Sequence, residues 1–141
     1  MPPIQSLTYT RFNLALAHSW AIATDVQSGQ VRGKSEYPVV FVVLKDAQGR
    51  SGLGEASPSS QYGETWETVF QFLRQIDASR LSFDDLLASR TYLESLPCPS
   101  MPARCAIDIA LLDGDASPKP DRPWASFKTT NTTGYSDLPR T

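Results

Sequence analysis

Between Tyr37 and Lys45 the chain reads YPVVFVVLK, a β-branched and aromatic run bounded by turn residues. It predicts the strongest strand in the sequence. Upstream, residues 6–16 (SLTYTRFNLAL) alternate loosely, with Leu7, Tyr9, Phe12, Leu14 and Leu16 apolar and a slip near Arg11. That pattern predicts a strand with a bulge. Trp20 to Thr24 is a short second extended candidate, and the polar stretch from Asp25 to Glu36, with Gly29 and Gly33, reads as a loop. Asp46 to Arg50 predicts a hairpin turn with Gly49 at positive φ, and Ser51 to Ala56 returns as a strand.

The period then changes. Trp66, Val69, Phe70, Leu73 and Ile76 form an apolar stripe at helical spacing, on a helix beginning near Thr65. Ser82 is placed to cap a second helix, with Asp84 and Asp85 in its first turn and Phe83, Leu86, Leu87 and Leu93 on its buried face. Leu96-Pro97-Cys98-Pro99 ends that helix. Pro102 suits the first turn of a third, running to about Asp113. There Ala103, Ala106, Ile107, Ala110 and Leu111 make a small-residue stripe suited to close packing.

These elements predict an α+β fold: a three-stranded antiparallel meander followed by a three-helix bundle over residues 1–113. From Gly114 to Thr141 the chain has four prolines and few aliphatic residues, so an irregular or disordered tail is expected. With 141 residues, 40% hydrophobic and 20% charged, one ordinary globular domain is the expectation.

The net charge of -2 and the scattered basic residues argue against a nucleic-acid or anionic-membrane partner. The longest apolar run, Val39 to Leu44, is far too short to span a bilayer. The N-terminus lacks the charged and apolar regions of a secretory signal, which makes a cytoplasmic protein the expectation. Cys98 and Cys105 then read as reduced thiols, and the sequon at Asn131 carries little weight.

Catalytic chemistry is hard to assemble from these residues. His18 is the only histidine, which rules out a His-based metal triad within one chain. Asp108 and Asp113 lie five apart and do not share one helical face. Glu64 and Glu67 are explained by a helix dipole. Gly52 and Gly54 complete neither dinucleotide nor phosphate-loop spacing, and close backbone approach inside a strand accounts for them better. No catalytic residue, metal ligand or cofactor site is predicted.

Several segments together resemble the N-terminal capping domain of the enolase superfamily. They are Leu16 to Ala23 (LAHSWAIA), Val39 to Leu44, Gly52 to Pro58 (GLGEASP), Tyr62 to Thr65 (YGET) and Pro102 to Asp113 (PARCAIDIALLD). The nearest branch is the mandelate racemase and muconate lactonizing group, particularly its dipeptide epimerases; muconate cycloisomerase and o-succinylbenzoate synthase are the alternatives. The resemblance implies a capping domain of meander plus helical bundle. It also implies a following barrel, where lysines move a proton α to a carboxylate and acidic ligands hold Mg²⁺.

A barrel needs on the order of 200 residues, and 28 follow Asp113. The expectation is therefore a truncated domain, inactive alone, whose partner is the missing barrel. Self-association through the barrel-facing helix around Ala106, Ile107 and Ala110 is the other expectation. A stand-alone interaction module and a binding domain for a small acid are the competing readings. The capping domain's share of the work is substrate selection through two loops. By resemblance these correspond to His18 to Ile22, with Trp20 as an apolar wall, and to Ser57 to Tyr62, so the candidate substrate-contacting residues are His18, Trp20, Ile22, Ser57 and Tyr62. The bland alternatives are a core or interface role for Trp20 and a Tyr62 packed beneath its own loop.

Overall fold

The computed structural model describes residues 2–20, 26–27, 30–31, 34–97 and 99–116. Strand β1 covers Ile4–Trp20, β2 Val26–Gln27, β3 Gln30–Val31, β4 Lys34–Asp46 and β5 Ser51–Ala56. The apolar run of β4 takes the centre of a three-stranded antiparallel sheet of order β1-β4-β5. Its side chains divide by strand alternation. Val40, Val42 and Leu44 are buried in the main core, whereas Phe41 and Val43 are half-buried on the opposite face. The turn after β4 is the expected hairpin, with Gly49 at φ 81°.

Two expectations about β1 and its surroundings are corrected. The register with β4 runs unbroken from Leu7 opposite Leu44 to Ala15 opposite Glu36, so no bulge occurs at Arg11. Strand alternation puts Arg11 on the inward face with Tyr9, where its guanidinium lies over the Trp66 ring, 4.6 Å from the centroid. Register shifts fall instead between Ile4 and Ser6 and between Ala15 and Trp20. The expected loop over 25–36 contains β2 and β3, which pair antiparallel, and the first residues of β4. Main-chain pairing needs no apolar alternation, so a polar ribbon leaves little trace in a hydrophobic pattern. Trp20 closes β1, while Ala21 to Thr24, Gly29 and Gly33 lie outside the described residues.

Helix α1 (Trp66–Leu73) starts where the pattern places it. Thr65 caps it through a reciprocal box with Thr68, whose hydroxyl accepts from the Thr65 N–H at 3.0 Å. Helix α2 (Leu86–Glu94) is capped by Asp85, not Ser82. Ser82 instead donates to the Pro2 carbonyl at 2.9 Å and accepts from the Asp84 N–H at 3.2 Å. Phe83 is fully buried and Asp84 is drawn to Arg50, so residues 83–84 form a turn before the helix. This shift leaves Leu87 78% exposed rather than buried, and Ser89 and Leu93 take the inward positions.

Helix α3 (Met101–Ala116) lies against β5 at backbone contact. A Cβ added at Gly52 would fall 1.8 Å from the Ala110 carbonyl oxygen, and one at Gly54 would fall 1.9 Å from that of Ala106. Here the glycines and the alanine stripe are two halves of one packing solution. The helix continues past Asp113 to Ala116, and within it Gly114 leaves the Phe83 ring the space a side chain would fill. The irregular segment expected from Gly114 therefore does not begin there, and residues 117–141 lie outside the described residues. Ala106, Ile107 and Ala110 are fully buried within the chain. They are not an uncovered surface for self-association.

Candidate functional site

The segment from Ser57 to Thr65 joins sheet to bundle, and local hydrogen bonds hold it. Pro58 is buried. The N–H groups of Tyr62 and Glu64 both donate to the Ser59 carbonyl, at 3.0 and 3.2 Å, closing a short 3₁₀ turn over Ser60–Tyr62. Gly63 ends the turn at φ 70°. The Glu64 carboxylate accepts from the Ser59 N–H at 3.4 Å. Pinned in this way, the turn projects Tyr62 outward with 78% of its surface exposed, so Tyr62 does not pack beneath its own loop. Ser57 is also exposed, its hydroxyl donating to Glu55 at 3.2 Å.

Beside this loop runs an open groove of about 380 Å³, lined among others by Glu36, Tyr37, Pro38, Pro58, Trp66 and Glu67. The start of β4 forms one wall and the N-terminus of α1 the other. In the sequence Trp66 reads as helix core and Tyr37-Pro38 as a strand start. Their convergence on Pro58 depends on a sheet-to-helix angle that neither period reveals. Tyr62 lines a separate recess of about 300 Å³ with Thr68, Gln71 and Ser100. His18 is exposed near the far end of β1, and neither it nor Ser57 lines these two cavities. Trp20 is placed by its backbone pairing with Lys34, and Ile22 lies outside the described residues.

Several ionisable groups outside the loop have structural partners. Asp108 pairs with Arg90 at 2.9 Å, and Asp113 accepts the Leu53 N–H at 2.9 Å. Burial would push the Asp46 carboxyl up, but hydrogen bonds from the Arg50 guanidinium and the Arg50 and Gln48 amides outweigh it. The group sits below the ordinary carboxylate range. The hydrogen bonds to Asp84, together with Asp46, hold Arg50 firmly protonated. Among the described residues, no three His, Cys, Asp or Glu side chains converge to hold a metal ion. Cys105 is a free, exposed thiol, and Cys98 lies outside the described residues. No helix among the described residues is long and apolar enough to cross a membrane.

No protein-family model matches the chain. It is 43% identical to an L-Ala-D/L-amino acid epimerase of Pedosphaera parvula over 104 residues, which are 74% of this chain and 29% of that protein. It is 32% identical to an L-Ala-D/L-Glu epimerase of Bacteroides thetaiotaomicron over 111 residues, 76% of this chain and 26% of that protein. The chain thus spans less than a third of the length of the curated relatives it matches. Among solved structures, it superposes on a dipeptide epimerase from Methylococcus capsulatus, complexed with Mg and the dipeptide L-Arg-D-Lys. The TM-score is 0.64 at 27% identity, covering 77% of this chain and 30% of that one.

Proposed function

This chain is an N-terminal capping domain of the enolase superfamily, in the mandelate racemase/muconate lactonizing enzyme group, and from that premise we propose that it is the substrate-selecting lid of a dipeptide epimerase. The observation that carries this reading is the 43% identity to a curated epimerase over 104 residues, 74% of this chain. In this reading His18 and Trp20, which lie in the last residues of β1 and not in a loop, contact the substrate together with Ile22, Ser57 and Tyr62. An outward Tyr62 and the adjacent aromatic groove favour that role, because a lid needs apolar side chains that leave water when it closes.

The chemistry of such an enzyme is removal and return of a proton α to a carboxylate. That requires acid–base groups and a metal-stabilised enolate. The described residues supply no ligand set for Mg²⁺, so no step of the reaction is assigned to a metal in this domain. Its contribution is to bind and orient the dipeptide and to exclude water, with a barrel supplying the catalytic groups. The reading places the protein in the cytoplasm.

The face that meets a barrel in this account is the outward side of α3. Met101, Cys105, Ile109 and Leu112 recur there at spacings of four, four and three, and all four are exposed. This replaces the stripe around Ala106, which β5 already covers.

A domain exchange tests the proposal. Residues 2–116 replace the corresponding segment of the Pedosphaera parvula epimerase, and racemisation of a dipeptide panel is followed by α-proton exchange in D₂O. The expected result is retained epimerisation with an altered dipeptide preference. A folded chimera that epimerises no dipeptide would sink the proposal. An unchanged preference would remove the selecting role.

A further inference from the structure

The two edges of the sheet are not equivalent. On β5 the Leu53 N–H donates to the Asp113 carboxylate at 2.9 Å, so it points away from β4. Antiparallel alternation then turns the main-chain groups of Gly52 and Gly54 toward β4. On β4 it leaves Val39, Phe41, Val43 and Lys45 to bond β1. Their partners Phe12, Thr10, Thr8 and Ser6 face inward. It follows that the main-chain groups of Leu7, Tyr9, Arg11 and Asn13 point out from the edge of β1 that no strand pairs with among the described residues.

A carboxylate from α3 guards the β5 edge. No comparable device is seen at β1 among the described residues. Ile4 is tied to the Leu81 carbonyl at 2.8 Å, but the unbroken register from Leu7 to Ala15 carries no proline and a single charge. Phe12 and Leu14 on this strand are 53% and 36% exposed. Natural edge strands are usually interrupted, charged or covered; from Leu7 to Ala15 this one is uninterrupted, carries only Arg11 as a charge, and is covered by no other element among the described residues.

We propose that β1 pairs edge to edge, antiparallel, with β1 of a second copy of the chain. Charge selects the occupant and the register. The edge is almost neutral, and its one cation is stacked on Trp66, so two copies approach without repulsion. Outward-bonding residues must face one another across the two-fold axis. A register centred on Arg11 would oppose two guanidinium groups, which is unfavourable. Centring on Phe12 sets Arg11 opposite Asn13 and Phe12 beside Phe12, an aromatic cross-strand pair at the closer of the two antiparallel spacings. Such an edge buries less area than a standard interface, so the dimer is weak and concentration-dependent.

Light scattering and sedimentation of the full chain over a concentration series test this, together with amide hydrogen exchange. The expected result is a dimer in which the amides of Tyr9, Arg11 and Asn13 gain protection with concentration, while those of Thr8 and Thr10 are protected throughout. Asn13→Pro removes an outward N–H at a position where an edge strand tolerates proline. Phe12→Lys places like charges at the two-fold axis and leaves the main chain intact. Each is expected to weaken association at least tenfold, and Ile109→Lys on α3 is expected to leave it unchanged. Should Asn13→Pro fail to fold, Phe12→Lys decides the matter. A chain that stays monomeric overturns the proposal, as does a dimer dispersed by Ile109→Lys but not by Phe12→Lys.

Discussion

Arg50 holds both oxygens of Asp84 through Nη1 and Nη2, at 3.0 and 2.7 Å, while its Nε donates to Asp46 at 2.7 Å. One guanidinium thus ties the β4–β5 hairpin to the turn that precedes α2. The Asp46 side chain is fully buried, that of Asp84 is 21% exposed and that of Arg50 12%. Removing the cation strands a buried carboxylate, which costs far more than losing a surface ion pair. Arg50→Ala is expected to destabilise the fold by about 3 kcal/mol. Arg50→Lys should recover only part of that loss, because an ammonium cannot serve two carboxylates in a fork. Urea unfolding monitored by circular dichroism measures both, and equal stability of Arg50→Ala and the parent would refute the assignment.

The same cluster sets a response to acid. Burial opposes the charged form of Asp46, and its hydrogen bonds with Arg50 and Gln48 prevail, so the folded carboxyl titrates below its ordinary value of 3.8. A carboxyl depressed in the folded state stabilises fully above its unfolded pKa, and that stabilisation is lost as pH falls through the folded one. Stability should be flat near neutrality and decline below about pH 4. Asp77, held down by the Ser79 hydroxyl and amide, acts in the same direction. Urea midpoints measured from about pH 6 to about pH 2 should show this fall, and it should be shallower in Asp46→Asn. An identical slope in the variant would remove Asp46 as the titrating group.

How much of this was legible in the sequence differs by element, for physical reasons. The β4 run, the return strand from Ser51 to Ala56 and the Thr65 cap are encoded locally, by β-branching, a turn glycine and a hydroxyl. Taken in order, they specify the meander and the start of the bundle. The glycines of β5 and the alanines of α3 were each legible as signs of close approach, and the fold joins the two. The misplacements at Ser82 and Gly114 share one cause. Phe83 enters the core between Arg50 and Gly114, a contact across long sequence separations that no local period announces. At the candidate site, the loop from Ser57 to Tyr62 was legible as a break between strand and helix. The groove beside it was not, since Tyr37, Pro38 and Trp66 each carry a sufficient local explanation.

The start of α1 offers a cleaner test of local encoding. Thr65 and Thr68 satisfy each other's backbone N–H groups, with the Thr65 N–H bond at 3.0 Å and the Thr68 N–H bond at 3.3 Å. Thr65→Ala is expected to cost about 1 kcal/mol, and Thr65→Ser or Thr65→Asp to restore most of it. Hydrogen exchange of the Thr68 amide reports the same event locally. Faster exchange there, with α3 amides unchanged, is the expected signature. Unchanged exchange at Thr68 would show that the cap contributes nothing.

Two glycines separate backbone strain from steric exclusion. Gly49 sits at φ 81°, and a methyl group there would find no heavy atom within 4 Å, so Gly49→Ala meets only the left-handed backbone penalty. That penalty is about 1 kcal/mol. Gly54 carries no such strain, but its Cβ would lie 1.9 Å from the Ala106 carbonyl oxygen and 2.8 Å from the carbonyl carbon, both backbone atoms of a packed helix. Relief there requires α3 to move off β5 as a unit, and that separation opens the interface lined by Ala106 and Ala110. Gly54→Ala is therefore expected to cost roughly 3 kcal/mol or more, at the upper end of overpacking penalties. Thermal unfolding of the two variants should rank Gly54→Ala well below Gly49→Ala. The reverse order would mean that α3 does not press on β5 at backbone contact.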